Sequence, residues 1–202
     1  MGSQAVIVSA VRTPIGSFNG ILRSVSATAL GSLVVAEALR RAKVPGERVN
    51  EVLLGCVLQS GLGQAPARQA PLGAGLPNSV GATTINKVCG SGLKSIILGA
   101  QMIALDEAGV IVAGGMESMT NAPYMLPDAR DGYRLGHREL IDSVVKDGLW
   151  DVYGNMHMGD CGEICAEKYG FIRSELDDFA MESYRRANRL YPKACSSEKL
   201  CP

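Results

Sequence analysis

Short apolar runs alternate with stretches of helical period, and this alternation constrains the fold more than any other feature of the chain. Glu51-Val52-Leu53-Leu54-Gly55, Ala82-Thr83-Thr84-Ile85-Asn86 and Val110-Ile111-Val112-Ala113-Gly114-Gly115 are too short for helices and rich in apolar or β-branched residues, so each predicts a strand. Ala5-Val6-Ile7-Val8-Ser9-Ala10 predicts a buried strand on the same grounds. Between these runs, Ser26 is placed to cap a helix reaching about Ala42, with Leu30, Leu33, Val34 and Ala38 on one stripe and Pro45-Gly46 beyond its end. Gln64 to Ala74 predicts a short helix with Pro66 in its first turn and a kink at Pro71. Leu93, Ile96, Ile97, Ala100, Ile103 and Ala104 recur at helical steps and mark the clearest helix of the chain. Strands joined through helices imply an α/β unit with a mainly parallel sheet.

The pattern changes after about Glu117. Residues 117–170 read as a loop-rich, methionine-bearing region. Ser174 to about Leu190 then predicts an amphipathic helix, with Leu176, Phe179, Ala180, Ser183, Tyr184 and Ala187 along one side. Apolar residues make up 47% of the 202, enough for a globular core, and 20 Lys+Arg balance 20 Asp+Glu. That balance gives no surplus charge for nucleic acid or an anionic membrane surface, so neither is expected as a partner. Gly is frequent at 24 and aromatics scarce at 5%, which favours close backbone packing over a base-stacking platform. No apolar run approaches the roughly 18 residues of a membrane span, and the opening residues lack a secretory pattern. A cytoplasmic location is the expectation. Six cysteines in such a chain read as free thiols. Cys161 and Cys165 could share a helix face, but with only His157 near them the spacing of a zinc site is absent and no metal is expected.

Cys89 differs from the other cysteines. It lies in Asn86-Lys87-Val88-Cys89-Gly90-Ser91-Gly92, between a predicted strand and the first turn of the clearest helix. Unpaired backbone donors and the helix dipole favour negative charge there, which suits a nucleophilic thiolate. Gly90 and Gly92 add no bulk, so a substrate carbonyl can approach the sulfur. A small buried hydrophobe is the alternative for any strand-end cysteine.

Five ordered stretches resemble the thiolase family, most closely its biosynthetic acetyl-CoA acetyltransferases. They are Ser9-Ala10-Val11-Arg12-Thr13-Pro14-Ile15-Gly16; Gly63-Gln64-Ala65-Pro66-Ala67-Arg68-Gln69-Ala70; the segment Asn86 to Lys94; Ala113-Gly114-Gly115-Met116-Glu117-Ser118-Met119; and Lys146-Asp147-Gly148-Leu149 followed by His157-Met158-Gly159. The resemblance runs from about residue 5 to about 190. It implies a thiolase-like fold: the N-terminal half of a five-layered αβαβα sandwich, residues 1–116, with an inserted loop domain at 117–190. By the same resemblance, Cys89 accepts the acyl group from a coenzyme A thioester, with its own N–H in an oxyanion hole. Leu149, His157 and Met158 match positions that line coenzyme A and the acyl pocket. The reaction implied is condensation of two acetyl-CoA to acetoacetyl-CoA, and the reverse thiolysis. Coenzyme A enters as substrate, no resident cofactor is implied, and the complete enzyme would be a homodimer or homotetramer.

Three family segments have no counterpart here: a Gly-His-Pro histidine, an Asn-Glu-Ala-Phe asparagine and a glycine-rich cysteine loop. All three lie in the second half of a thiolase. The sequence therefore predicts a catalytically incomplete chain, with residues 191–202 as a non-family tail of shifted-frame character. It also predicts an apolar face on the Leu93–Ala104 helix that meets water, and hence a chain that alone is unstable, aggregation-prone or dependent on a partner. Two alternatives remain at this point: a non-catalytic fragment that binds acyl-CoA or a full-length subunit, and a condensing enzyme of the β-ketoacyl synthase type.

Overall fold

The computed structural model describes residues 3–194. Most of the segment expected as a non-family tail, residues 195–202, lies outside them. The described chain forms two compact units, residues 3–148 and 149–194.

The first unit is built on a three-stranded parallel sheet. Its strands are β1 (Glu51–Gly55), β2 (Gly81–Ile85) and β3 (Ile111–Gly115), in the order β2-β1-β3. Glu51 stands opposite Gly81 on one side and Ile111 on the other, and Gly55 opposite Ile85 and Gly115. Helix α1 (Ala27–Ala42) precedes the sheet, α2 (Pro66–Gly73) links β1 to β2, and α3 (Ser91–Ala104) links β2 to β3. The expected strand and helix positions thus hold to within two residues. Ser26 caps α1 by accepting the Ala29 N–H at 3.1 Å. The proline expected in the first turn of α2 is at its start, and Pro71 stands inside the helix, where it supplies no N–H to the preceding turn.

Side chains alternate across β1, and the two faces of the sheet receive different helices. Val52, Leu54 and Cys56 join Ala27, Val35, Leu39, Ala67 and Ala70 of α1 and α2 in the core cluster. Ile111 and Ala113 instead lie against Gly99 of α3, and Gly55 lies against Ser91.

Two expectations need correction within this unit. The ridge that α1 buries is Ala27, Gly31, Val35 and Leu39, not the Leu30–Leu33–Val34–Ala38 stripe, and Leu33 is exposed. Gly31 explains the choice. A Cβ there would stand 2.5 Å from the Met116 sulfur, so the helix comes closest where it carries no side chain. The second correction concerns Ala5–Ala10, which forms no strand, with Val6, Ile7 and Val8 exposed at 72%, 79% and 70%. An apolar β-branched run records propensity alone, whereas a strand also needs an edge to pair with. Residues 5–10 pair with neither outer edge of the β2-β1-β3 sheet.

The loop region of the first unit carries one small antiparallel pair, β4 (Tyr124–Met125) with β5 (Ile141–Asp142). The second unit opens with β6 (Trp150–Asp151) pairing β7 (Met156–His157), and continues into α4 (Met158–Tyr169) and α5 (Arg173–Ala194). Helix α4 was not expected, because residues up to 170 read as loop. Its signals are local ones. His157 caps it through Nδ1, which accepts the Gly159 N–H at 3.0 Å; Asp160 returns the bond by accepting the His157 N–H at 3.2 Å; and Gly170 ends it at φ 69°. Cys161 and Cys165 lie on this helix as their spacing suggested. On α5, Leu176, Phe179 and Tyr184 of the expected apolar side are exposed at 41%, 80% and 73%. No described helix is long and apolar enough to cross a membrane.

Candidate active site

The segment between β2 and α3 is an elbow held by backbone and hydroxyl bonds. Asn86 follows β2, and its Oδ1 accepts the Val88 N–H at 2.9 Å, an Asx-type turn. Val88 then adopts φ 48°, left-handed backbone that a β-branched residue enters only at a cost of about 1–3 kcal/mol. The Ser91 hydroxyl accepts the Lys87 N–H at 2.8 Å and donates to the Val88 carbonyl at 2.6 Å. The Gly90 N–H donates to the Lys87 carbonyl, and the Ser91 N–H to that of Val88, both at 3.1 Å. The first α-helical bond is Lys94 N–H to Gly90 C=O, at 2.8 Å.

Cys89 sits on this elbow, one residue before the α3 N-cap Gly90, and it is exposed. It is therefore placed between strand and helix as the sequence suggested. The N–H groups of the helix's first turn have no intrahelical acceptor, so this end favours negative charge. An accessible sulfur beside such donors can attack an electrophilic carbonyl and stabilise the oxyanion that forms.

Small residues bring α3 close to the sheet at this point. A Cβ on Gly55 would fall 2.6 Å from the Ser91 Cβ, and one on Gly115 would fall 3.4 Å from the Gly92 Cα. Ser95 donates to the Gly92 and Gly114 carbonyls, both at 2.6 Å. These contacts were not recognised in the sequence. Their signals were present in the glycines ending the predicted strands and in the serine two residues after Cys89.

Cys56 provides the contrast within the same unit. It is buried at the end of β1, where burial first and the Glu117 carboxylate second push its thiol up to about 12. Glu117 also accepts the N–H groups of Val57 at 2.8 Å and Leu58 at 3.2 Å. Cys56 is thus a core thiol and Cys89 an accessible one.

The other expected site residues lie in the second unit. Leu149 precedes β6 and is half-buried. Trp150 of β6 pairs directly with His157 of β7, so the hairpin brings the Leu149 and His157–Met158 segments together. His157 commits Nδ1 to its cap, which leaves Nε2 as the ring edge for a ligand. Met158 begins α4, 41% exposed. Among the described residues, no three His, Cys, Asp or Glu side chains gather as metal ligands.

Comparison with known proteins agrees in sequence and in fold. A family model described as thiolase, N-terminal domain, matches residues 5–198. The chain is 56% identical over 180 residues to acetyl-CoA acetyltransferase 2 of Arabidopsis thaliana, covering 89% of this chain and 45% of that protein. It is 48% identical over 200 residues to an acetyl-CoA acetyltransferase of Cupriavidus necator, covering 99% of this chain and 51% of that one. A solved structure of Acat5 thiolase from Ascaris suum in complex with coenzyme A superposes with a TM-score of 0.93 at 40% identity, covering 99% of this chain and 52% of that chain. The chain spans about half the length of the curated relatives it matches.

Proposed function

Because this chain belongs to the thiolase family and has the family's α/β fold, we propose that it carries the acylating centre of an acetyl-CoA acetyltransferase. In the first half-reaction the Cys89 thiolate attacks the thioester carbonyl of acetyl-CoA. The tetrahedral oxyanion is met by the Cys89 N–H at the head of α3. Collapse breaks the old carbon–sulfur bond, releases coenzyme A as its thiolate and leaves acetyl-Cys89. In the second half-reaction a further acetyl-CoA gives up an α-proton to a base. The carbanion attacks the acetyl group, forming acetoacetyl-CoA and restoring the Cys89 thiolate. The reverse direction is thiolysis. Leu149, His157 and Met158 contact the coenzyme A arm and the acyl group, with coenzyme A as substrate. The complete enzyme would assemble from two or four copies.

The observation that carries this reading is the exposed Cys89 on a left-handed elbow at the start of α3. Its test is incubation with acetyl-CoA followed by peptide mass spectrometry. An acetyl adduct is expected on the Cys89 peptide and is expected to vanish in Cys89→Ala. An adduct on another cysteine, or none on any, overturns it. The elbow and the ordered family words favour thiolase chemistry over a passive coenzyme A binder.

A further inference from the structure

The conformation that presents Cys89 is one that Val88 does not adopt unaided; Asn86 holds its N–H at 2.9 Å, and the Ser91 side chain bonds on both sides of it. The Ser91 Oγ takes the Lys87 N–H ahead of Val88 and gives its own proton to the Val88 carbonyl behind it, at 2.8 and 2.6 Å. One hydroxyl thereby bridges both sides of the left-handed residue. Ser91 is 4% exposed. It has little room to shift towards the sheet, because it rests against Gly55 where even a Cβ would fall 2.6 Å away. Its bonds reach the backbone that carries Cys89 and not the sulfur.

We propose that Ser91 is the positioning residue of Cys89: its hydroxyl clamps the Lys87–Val88 backbone and so fixes the direction in which Cys89 leaves the head of α3. This rests on the reading of Cys89 as the nucleophile. Without the hydroxyl, Val88 relaxes out of its left-handed conformation and Cys89 turns away from the helix end.

Ser95 supplies a matched control. It too is a buried serine on α3, 0% exposed, and it donates to two carbonyls. None of those bonds reaches residues 87 or 88. Three thiols in the same molecule supply the readout: Cys89 on the elbow, Cys165 exposed as reference, and Cys56 buried as a reporter of opening. The chain is alkylated with iodoacetamide, and each cysteine peptide is followed over time by mass spectrometry.

In Ser91→Ala the labelling of Cys89 relative to Cys165 is expected to fall about tenfold while Cys56 stays protected. In Ser95→Ala the ratio is expected to stay within about twofold of the parent. An unchanged ratio in Ser91→Ala overturns the proposal, as does an equal fall in Ser95→Ala. Labelling of Cys56 as fast as Cys165 in Ser91→Ala also overturns it, since the hydroxyl would then be a core bond and nothing more. If the parent gives no acetyl-Cys89 with acetyl-CoA while Ser91→Ala still slows alkylation, the acyl-transfer reading falls and the clamp stands.

Discussion

On one face of the parallel sheet, Val52 and Leu54 are 0% and 2% exposed beneath α1 and α2. On the other face, α3 meets the strands through Ser91, Ser95 and Gly99 and turns Leu93, Ile96 and Ile97 outward, at 64%, 42% and 43% exposure. The first face is a conventional core, with large aliphatic side chains from strands and helices filling one volume. The second is a close backbone contact in which glycines and serines let helix and sheet touch. The closeness confines the elbow, because Ser91, which bonds Lys87 and Val88, rests directly against Gly55 at the end of β1. What this face buries is mainly Leu53 of β1, 4% exposed, while Leu93, Ile96 and Ile97 of α3 stay outside the core among the described residues.

The largest test of this contrast is Leu54→Ala. Leu54 is almost wholly buried on the covered face, and truncation there is expected to destabilise the first unit by about 3 kcal/mol. Trp150 belongs to the second unit, so its fluorescence is the wrong probe. Alkylation of buried Cys56 as a function of urea reports opening of the first unit directly. A cost under about 1 kcal/mol would show that the covered face is packed no better than the open one.

The same contrast explains what the sequence made legible. Apolar patterning located α1, α3 and the three strands of the parallel sheet, because it is a one-dimensional signal. It did not give the orientation of the helices. In α1 the buried ridge contains Gly31, and in α3 it is Ser91, Ser95 and Gly99; neither ridge is the most apolar stripe. The expectation that the α3 apolar face meets water came from the family resemblance, and the exposures agree with it. Residues 5–10 carried strand propensity without a partner. At the site, Cys89 was legible from its junction between strand and helix. The Ser91 tether and the left-handed Val88 were not, since a valine carries no sequence signal for positive φ and a serine near a helix start has several backbone groups it could bond. His157 was singled out only as a family-matched position, and its place as the cap of α4 went unseen because histidine is an uncommon N-cap.

A smaller effect separates the faces by pH. The Cys56 thiol ionises near 9.0 when unperturbed and is pushed up to about 12 in the fold, by burial and then by the Glu117 carboxylate. Its folded pKa is the raised one. Its contribution is therefore fully present below about pH 9 and is lost as pH rises towards 12, because the unfolded chain releases the proton first. Urea midpoints, followed by far-ultraviolet circular dichroism because the Cys56→Ala variant lacks the Cys56 reporter, are expected to fall over that interval. In Cys56→Ala the fall is expected to shrink. A parent and variant with parallel pH profiles would remove Cys56 as the cause.

The smallest change belongs to the open face. Ile97 is 43% exposed on α3, away from the Ser91–Ser95–Gly99 contact. Ile97→Gln exchanges a β-branched residue for one of good helix propensity and gives up only partial burial, so stability is expected to move by less than about 0.5 kcal/mol. The larger response is colloidal. Leu93, Ile96 and Ile97 form an apolar row along one helix, and a glutamine within it should reduce light scattering at a given protein concentration. The urea dependence of Cys56 alkylation and the scattering are measured on the same sample. A destabilisation approaching that of Leu54→Ala would mean that a partner already covers α3 in solution, and the two faces would then be equally closed.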